Sequence, residues 1–315
     1  MPVTAKRPRK ISQLPQQLAV EKPFMVKFSP DGQYLACVNI SSVVVFHHLV
    51  HHKTIIAACT DISWSSDSSC LLLVADNALE SLRNFCFRLQ YEHTGAFAAT
   101  FNQKGNLIAS GSVDGSVKLF NTTTAAVIRT LPAHSELVTM VEFSNDGTLL
   151  LTCSFDGLMY ILLTAVASGI QDSASVSKRS FAIRTLQCSS FSPRSHAAFS
   201  PNSRFILAST LDSTLRVWDF ISGKIVKSYT GHENTQFCIN AVFYKQFVIS
   251  GSENGIICFW DLQSRELVHS LKSHEGVVSY IGISSELNIL VSASTQDMVV
   301  NVWDLNQIVD AIGAN

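Results

Sequence analysis

The apolar positions of this chain fall into short runs in which β-branched side chains alternate with small or polar ones. The stretches FVISGSENGIICFW (247–260) and RFILASTLDSTLRVW (204–218) are typical. Alternation with a period of two indicates strands that bury one face. Asp31-Gly32 and Asp146-Gly147 supply the residues that tight turns between antiparallel strands favour. The pattern therefore predicts small antiparallel sheets.

A repeat of about 42 residues organises these strands. Trp-Asp pairs stand at 218–219, 260–261 and 303–304, so their tryptophans are 42 and 43 residues apart. Six residues before each tryptophan stands Asp212, Asn254 or Asp297. The same offset, carried backwards, leads to four degenerate copies: Asp156, Asp114, Asn77 and Ile40. Histidines keep step, since each of these precedes its matching position by 21 to 23 residues: His93, His134, His232 and His274.

Seven repeats with this spacing predict an all-β fold, a seven-bladed WD40 β-propeller. The last repeat ends near the C-terminus and lacks an outermost strand. We expect an N-terminal strand near Leu14–Val20 to complete that blade and close the ring, because an open ring would expose unpaired edges. The predicted organisation is a basic tail at 1–12, one propeller at 13–308 with a Ser-rich loop insertion at about 168–195, and a C-terminal tail at 309–315.

One set of polar residues in the repeats is predicted to be structural. In the seventh repeat His274, Ser292, Asp297 and Trp303 resemble the buried hydrogen-bond relay that links blade strands in WD40 proteins. The fourth repeat keeps three members, His134, Thr152 and Asp156, and has Leu162 in place of the indole. These histidines and aspartates are therefore interpreted as parts of the fold rather than as catalytic groups.

Composition narrows the possible functions. The 315 residues carry a net charge of −1, and the eight cysteines form no CxxC pair, which favours a reducing compartment and argues against a zinc site. No nucleotide-binding, hydrolase or metalloprotease motif occurs, so we expect no enzyme activity and no cofactor. No apolar signal segment is visible in MPVTAKRPRK, and neither a membrane nor direct nucleic-acid contact is expected.

Two clusters leave alternatives open. The histidines at 47, 48, 51 and 52 have spacing that could suit a metal, but they fall where a solvated loop is expected. The basic cluster Lys6, Arg7, Arg9 and Lys10 is compatible with a solvated tail, a nuclear-import signal or nucleic-acid contact.

Several stretches go beyond the generic repeat. RFILASTLDSTLRVWDFISGKIVKSYTGHENTQFCI (204–239) and VISGSENGIICFWDLQSRELVHSLKSHEGVV (248–278) resemble the WD repeat-containing protein five family, as do LIASGSVDGSVKLF and TLPAHSELV. The resemblance runs from about Pro23 to Asp304. Members of that family are WD40 subunits of COMPASS-type histone H3 lysine-4 methyltransferase complexes. The resemblance implies a nuclear scaffold whose partners are a SET-domain catalytic subunit, a retinoblastoma-binding-protein-five-type subunit and the histone H3 tail.

The resemblance also implies two binding surfaces. The first is a central funnel that takes an arginine between two phenylalanines. The positions that match the funnel are Phe97, Thr139, Ser195, Phe237 and Cys238. The second phenylalanine position holds Asn240, and Phe24, Ile40 and Thr60 stand where the family has small residues.

The second implied surface is a groove that grips an apolar segment of a partner subunit. The matching positions are Asn202, Phe205, Val217, Phe243 and Gln263. The three apolar residues among them could equally be ordinary blade core. The leading hypothesis is a non-catalytic scaffold; the alternatives are a substrate receptor of a ubiquitin ligase and an adaptor in another chromatin or RNA-processing complex.

Overall fold

Seven four-stranded antiparallel sheets form the blades of a propeller. The structure, a computed structural model, describes residues 15–75, 78–83, 87–91, 95–164, 182–187 and 196–313. The strands of the first four blades, in chain order, are as follows. Blade one has β2 (Met25–Phe28), β3 (Tyr34–Val38), β4 (Ser42–His47) and β5 (His51–Ile56); blade two has β6 (Cys59–Trp64), β7 (Cys70–Ala75), β8 (Ala78–Arg83) and β9 (Phe87–Tyr91). Blade three has β10 (Ala96–Phe101), β11 (Leu107–Ser112), β12 (Ser116–Asn121) and β13 (Val127–Pro132); blade four has β14 (Val138–Phe143), β15 (Leu149–Ser154), β16 (Leu158–Leu163) and β17 (Ala182–Gln187).

The remaining blades follow the same plan. Blade five has β18 (His196–Phe199), β19 (Phe205–Thr210), β20 (Thr214–Asp219) and β21 (Lys224–Tyr229). Blade six has β22 (Ala241–Tyr244), β23 (Phe247–Ser250), β24 (Ile256–Asp261) and β25 (Leu267–Lys272). Blade seven takes β26 (Val278–Ser284), β27 (Ile289–Ser294) and β28 (Val299–Asp304) from the C-terminal end and β1 (Gln17–Ala19) from the N-terminal end.

The ring closes through β1. This strand pairs with β28 in antiparallel register, with Leu18 opposite Val300, and the N–H of Val302 donates to the carbonyl of Gln16 at 2.8 Å. Leu18 and Val20 are buried in the core shared by blades one and seven. The predicted seven-bladed fold and its closure by an N-terminal strand are both confirmed.

The apolar core lies between neighbouring blades. Ile62 and Leu71 of blade two, for example, pack in one cluster with Val43 and Val45 of blade one, and all four are almost fully buried. Burying a side chain of this size contributes about 1.5–3 kcal/mol. Each blade therefore depends on its neighbours for stability, which explains why the repeats form a ring.

The strand order gives the propeller two different faces. Because each blade is antiparallel, turns between its first and second and its third and fourth strands lie on one side, which we call the hairpin face. The second-to-third turns and the connections between blades lie on the opposite side, the loop face. Inner strands such as β10 and β14 begin at the loop face and line a central channel.

Two segments differ from the predicted organisation. Ala182–Gln187, inside the predicted Ser-rich insertion, is the outer strand of blade four, and its Leu186 is buried beside Met159. The rest of the predicted insertion lies mostly outside the described residues, as does the basic tail. The C-terminal tail predicted at 309–315 is not a separate segment, because the helix α1 (Leu305–Gly313) crosses the predicted boundary between the propeller and the tail at residue 308. Its residues Val309 and Ile312 pack against the core of blades six and seven.

Candidate functional site

The relay residues of blades four and seven are joined by hydrogen bonds. His274 Nδ1 pairs with Asp297, its Nε2 lies 2.9 Å from Ser292 Oγ, and the indole N–H of Trp303 donates to the same oxygen at 3.1 Å. In blade four, His134 Nδ1 pairs with the Asp156 carboxylate at 2.9 Å. Both imidazoles are buried. The arrangement ties inter-blade loops to strand turns and presents no reactive group to solvent.

Polar side chains on the inner strands link neighbouring blades across the channel wall. Lys27 of blade one donates to the Asp61 carboxylate of blade two at 2.8 Å. Glu142 of blade four accepts from the N–H of Phe199 in blade five at 3.0 Å. Burial opposes the charge on Lys27, but the neighbouring Asp61 carboxylate outweighs it and raises the Lys27 pKa. Burial raises the pKa of Glu142 to about 7.

Asn240 belongs to the same set of inter-blade contacts. Its Nδ2 donates to the carbonyl of Ile281 at 2.8 Å, and its Oδ1 accepts from the Ile281 N–H at 2.7 Å. Only 3% of Asn240 is exposed. The position that matches the family's second phenylalanine therefore presents neither a ring nor a free amide to the channel, because both amide atoms connect blade six to blade seven.

The other predicted funnel residues that the structure describes lie at the loop-face end of the channel. Phe97 and Thr139 are near the starts of β10 and β14, and both are partly buried. Phe237 and Cys238 precede β22, with Phe237 partly buried and Cys238 exposed. Ser195 lies outside the described residues. Further in, the rings of His196 and Tyr280 meet edge to face with centroids 6.3 Å apart, although these residues belong to blades five and seven. This contact narrows the channel.

The predicted groove residues come together between blades five and six. Phe205 and Phe243 are both partly buried and pack on one core cluster that contains Val217. Val217 itself is only 4% exposed, so it forms the floor and offers no contact surface. Asn202 and Gln263 are exposed on the turns before β19 and after β24. Phe205 and Phe243 therefore offer apolar surface near the hairpin face, with an exposed amide on a turn of each blade, and we call this surface the groove.

Two cations that the sequence did not single out lie beside this groove. Arg204 is 59% exposed and lies over the Phe205 ring, 5.4 Å from its centroid. Lys227 donates to the carbonyl of Leu262 and to Gln263 Oε1, the latter at 3.3 Å. The nearby Asp261 carboxylate is already engaged by the N–H groups of its own turn, which lower its pKa. Arg204 also lies near a carboxylate, since its Nη2 is 3.7 Å from Asp219 Oδ2, so the rim of the groove carries charges of both signs. The sequence signal for Arg204 was weak, because it shows only that this arginine stands in a turn beside Phe205.

The described part of the chain shows no arrangement typical of a metal site. No group of three or more His, Cys, Asp or Glu residues in it is arranged to hold a metal ion. The histidines at 47 and 51 face each other on β4 and β5, where the rings of His47 and Tyr34 stack with centroids 4.9 Å apart. No helix among the residues described has the length and apolar character to cross a membrane.

Comparison with protein families decides the class of this propeller. The model of the WD domain, G-beta repeat, matches five segments that together cover more than half of the chain: 85–121, 125–161, 182–219, 223–261 and 265–304. The chain belongs to the WD40 family. WD40 propellers are in general non-catalytic scaffolds that bind other proteins, so this chain is a WD40 scaffold protein.

The individual proteins to which this chain is similar have different roles. The chain is 26% identical over 280 residues to COMPASS component SWD3 of Saccharomyces cerevisiae, covering 79% of this chain and 84% of that protein. It is 24% identical over 205 residues to pre-mRNA-processing factor 19 homolog 2 of Arabidopsis thaliana, covering 64% of this chain but 37% of that protein. Human WD repeat domain-containing protein 83 is 36% identical over 89 residues, 28% of each chain. The similarity to SWD3 is the one that extends over most of both proteins among these three.

Proposed function

We propose that this WD40 protein is a nuclear, non-catalytic scaffold subunit of a COMPASS-type histone H3 lysine-4 methyltransferase complex. It holds a partner subunit in the groove formed by Asn202, Phe205, Val217, Phe243 and Gln263. The observation that carries the proposal is the pair of partly buried phenylalanines, Phe205 and Phe243, over a shared apolar floor. Support for the complex comes from the similarity to SWD3 over 79% of the chain. The reacting groups belong to a SET-domain partner.

The chemistry of the groove defines the partner segment. Apolar side chains can enter between Phe205 and Phe243, while the amides of Asn202 and Gln263 suit hydrogen bonds to an extended backbone. Arg204 and Lys227 at the rim favour carboxylates beside those apolar residues. The partner is therefore an extended segment with apolar anchors and acidic flanks, of the kind expected from a retinoblastoma-binding-protein-five-type subunit.

Affinity purification of the tagged chain from its own cells tests the complex. We expect a SET-domain protein to co-purify, and Phe243→Ala to weaken capture roughly 30-fold, because truncating a central aromatic anchor costs about 2 kcal/mol or more. Phe28→Ala is a matched control, since Phe28 stands at the same register position in blade one. Recovery of pre-mRNA-processing factors without a SET-domain protein would instead support the RNA-processing alternative.

Charge reversal tests the groove with little risk to folding. Arg204→Glu changes an exposed side chain, and we expect it to weaken capture of an acidic, apolar partner about tenfold or more. Lys104→Glu, an exposed change on blade three, is the control. Equal capture by wild type, Arg204→Glu and Phe243→Ala would reject the groove as the partner site.

A second surface is favoured by the apolar side chains exposed on the loop face. The second-to-third strand turns of four blades carry large exposed residues: Ile40 (74%), Val113 (60%), Phe155 (39%) and Met298 (55%). Exposed acids stand on the neighbouring connections: Glu136, Glu233 and Glu275. This combination suits a basic segment such as the histone H3 tail. Anisotropy of a labelled H3 peptide with wild type and Phe155→Ser tests it, with Ile56→Ser on an outer strand as the control.

A further inference from the structure

The connection between blades five and six is held differently from those before blades four and seven. In blades four and seven a histidine of the connection pairs with an aspartate of the following strand turn, as His134 does with Asp156. The corresponding pair before blade six is His232 and Asn254. Neither ring nitrogen of His232 has a hydrogen-bond partner in the described part of the chain, although only 4% of the residue is exposed. Burial lowers the pKa of His232 to about 4. Blade six therefore lacks the His–Asp pair that blades four and seven have.

A neighbouring carboxylate contacts this connection instead. Glu253 Oε1 accepts three consecutive backbone N–H groups, from Thr235 at 2.7 Å, Gln236 at 2.6 Å and Phe237 at 3.0 Å. Its Oε2 accepts the hydroxyl of Thr235 at 2.9 Å. Four donors converge on one carboxylate, and hydrogen bonds to a charged acceptor are the stronger kind. Although burial opposes it, these donors lower the pKa of Glu253.

The residue that corresponds to Glu253 is apolar in blades three and four, where it is Val113 and Phe155, whereas blade seven has Gln296 there. The N–H of Glu253 donates to the carbonyl of Glu233 at 2.9 Å, just as the N–H of Val113 and that of Phe155 donate to Gly95 and Leu137. Val113 and Phe155 point their side chains into solvent. In blade six the same position instead carries a carboxylate turned towards the connection.

The segment under this carboxylate forms part of the channel mouth. Phe237 and Cys238 follow directly after the residues that Glu253 contacts. Cys238 is exposed and Phe237 is partly buried, and both stand shortly before β22, the inner strand of blade six. The conformation of Thr235–Phe237 therefore decides where these two side chains stand relative to the opening.

We propose that Glu253 is the positioning residue that holds Thr235–Cys238 over the loop-face mouth of the channel, in place of the His–Asp pair of blades four and seven. Loss of its negative charge releases this connection alone and leaves the rest of the ring intact. Access to the channel is then governed by one carboxylate. This inference is independent of the partner groove, which lies on the hairpin face.

Hydrogen exchange of the full chain, followed by mass spectrometry, tests the proposal. In Glu253→Gln we expect the amides of residues 235–237 to exchange about tenfold faster or more, since three of their hydrogen bonds lose a charged acceptor. The connection at 133–137 and the thermal midpoint should stay as in the wild type. Glu233→Gln is the matched control, because Glu233 is an exposed acid two residues before the segment.

The conservative variant separates positioning from a general effect on stability. Glu253→Asp keeps the charge on a shorter side chain, so it should restore a large part of the protection that Glu253→Gln loses. Wild-type exchange at 235–237 in Glu253→Gln would overturn the proposal. So would equal acceleration in all blades, or an Asp variant as unprotected as the Gln variant.

Discussion

The ion pair between Lys27 and Asp61 offers a quantitative test of how the channel wall stabilises the ring. Asp61 Oδ1 accepts from Lys27 Nζ and from the N–H of Ile62, both at 2.8 Å, and its Oδ2 accepts from the N–H of Ala99 at 3.2 Å. One carboxylate therefore connects blades one, two and three. Asp61→Ala removes it and leaves the Lys27 ammonium with the carbonyl of Ile62, 2.6 Å away.

The expected cost follows from burial. Removing one partner of a fully buried pair costs about 3–5 kcal/mol. The side chains of Lys27 and Asp61 are 29% and 15% exposed, so water offsets part of that and we expect Asp61→Ala to cost about 2–4 kcal/mol. Lys27→Met should cost less, about 1–2 kcal/mol, because Asp61 then keeps two backbone donors.

Guanidinium denaturation of the two single variants and the double variant measures these free energies and the coupling between the residues. The Arg204–Asp219 pair is the control, since it is 3.7 Å apart with Arg204 59% exposed, and its disruption should cost under about 1 kcal/mol. The reasoning is refuted if Asp61→Ala costs no more than the control, or if Lys27→Met is the more damaging of the two.

Three further predictions concern stability. Burial lowers the pKa of both His196 and His232 to about 4, below the value of about 6.5 expected in the unfolded chain. The free energy of unfolding should therefore be highest above pH 6.5 and fall between pH 6.5 and pH 4, by up to about 1.4 kcal/mol per pH unit for each histidine. Denaturation curves that coincide at pH 7.5 and pH 5 would contradict this. Gly255→Ala should destabilise the fold by about 2–4 kcal/mol, because Gly255 has φ +80° and an added Cβ would lie 2.2 Å from the carbonyl oxygen of His274. An unchanged thermal midpoint in this variant would contradict the prediction. Deleting α1 from Leu305 onward should lower the thermal midpoint by several degrees, since its apolar face covers blades six and seven; a truncated chain that melts like the full one would show that the helix adds nothing.

The sequence predicted the number of blades because the relevant signal is local and periodic. The repeat tryptophans of the last three blades are 42 and 43 residues apart, so the degenerate repeats can be placed by carrying the same offset backwards. The closing strand followed from the same count. The helix α1 was also readable, since Leu305, Ile308, Val309 and Ile312 have helical spacing. Because residues 305–313 are few and follow the final strand, the sequence alone favoured a C-terminal tail from 309 onward.

Contacts between blades could not be predicted in the same way. Lys27 and Asp61 are 34 residues apart, and Glu142 and Phe199 are 57 apart, so no local pattern relates them. The amide of Asn240 illustrates the consequence. Its sequence position suggested a channel residue, whereas in three dimensions it bonds a backbone 41 residues away. Phe205 and Phe243 were identified through the family resemblance, and they pack on one apolar cluster. Their role in binding a partner stays a prediction.

The distribution of these inter-blade contacts explains how a ring with degenerate repeats stays closed. Blades one and two have Phe46 and Arg83 where the relay has tryptophan, so neither can form it. Their inner strands carry extra bonds instead: Trp64 Nε1 donates to the Lys27 carbonyl at 3.0 Å, and Thr60 Oγ1 to the Phe97 carbonyl at 2.8 Å. Glu142 and Asn240 make similar bonds beside blades four and seven, which have relay residues, so bonds at the channel wall join both kinds of blade. Blades one and two are therefore joined to their neighbours at the channel wall although neither has the relay tryptophan, while the ring itself closes through the outermost strand of blade seven.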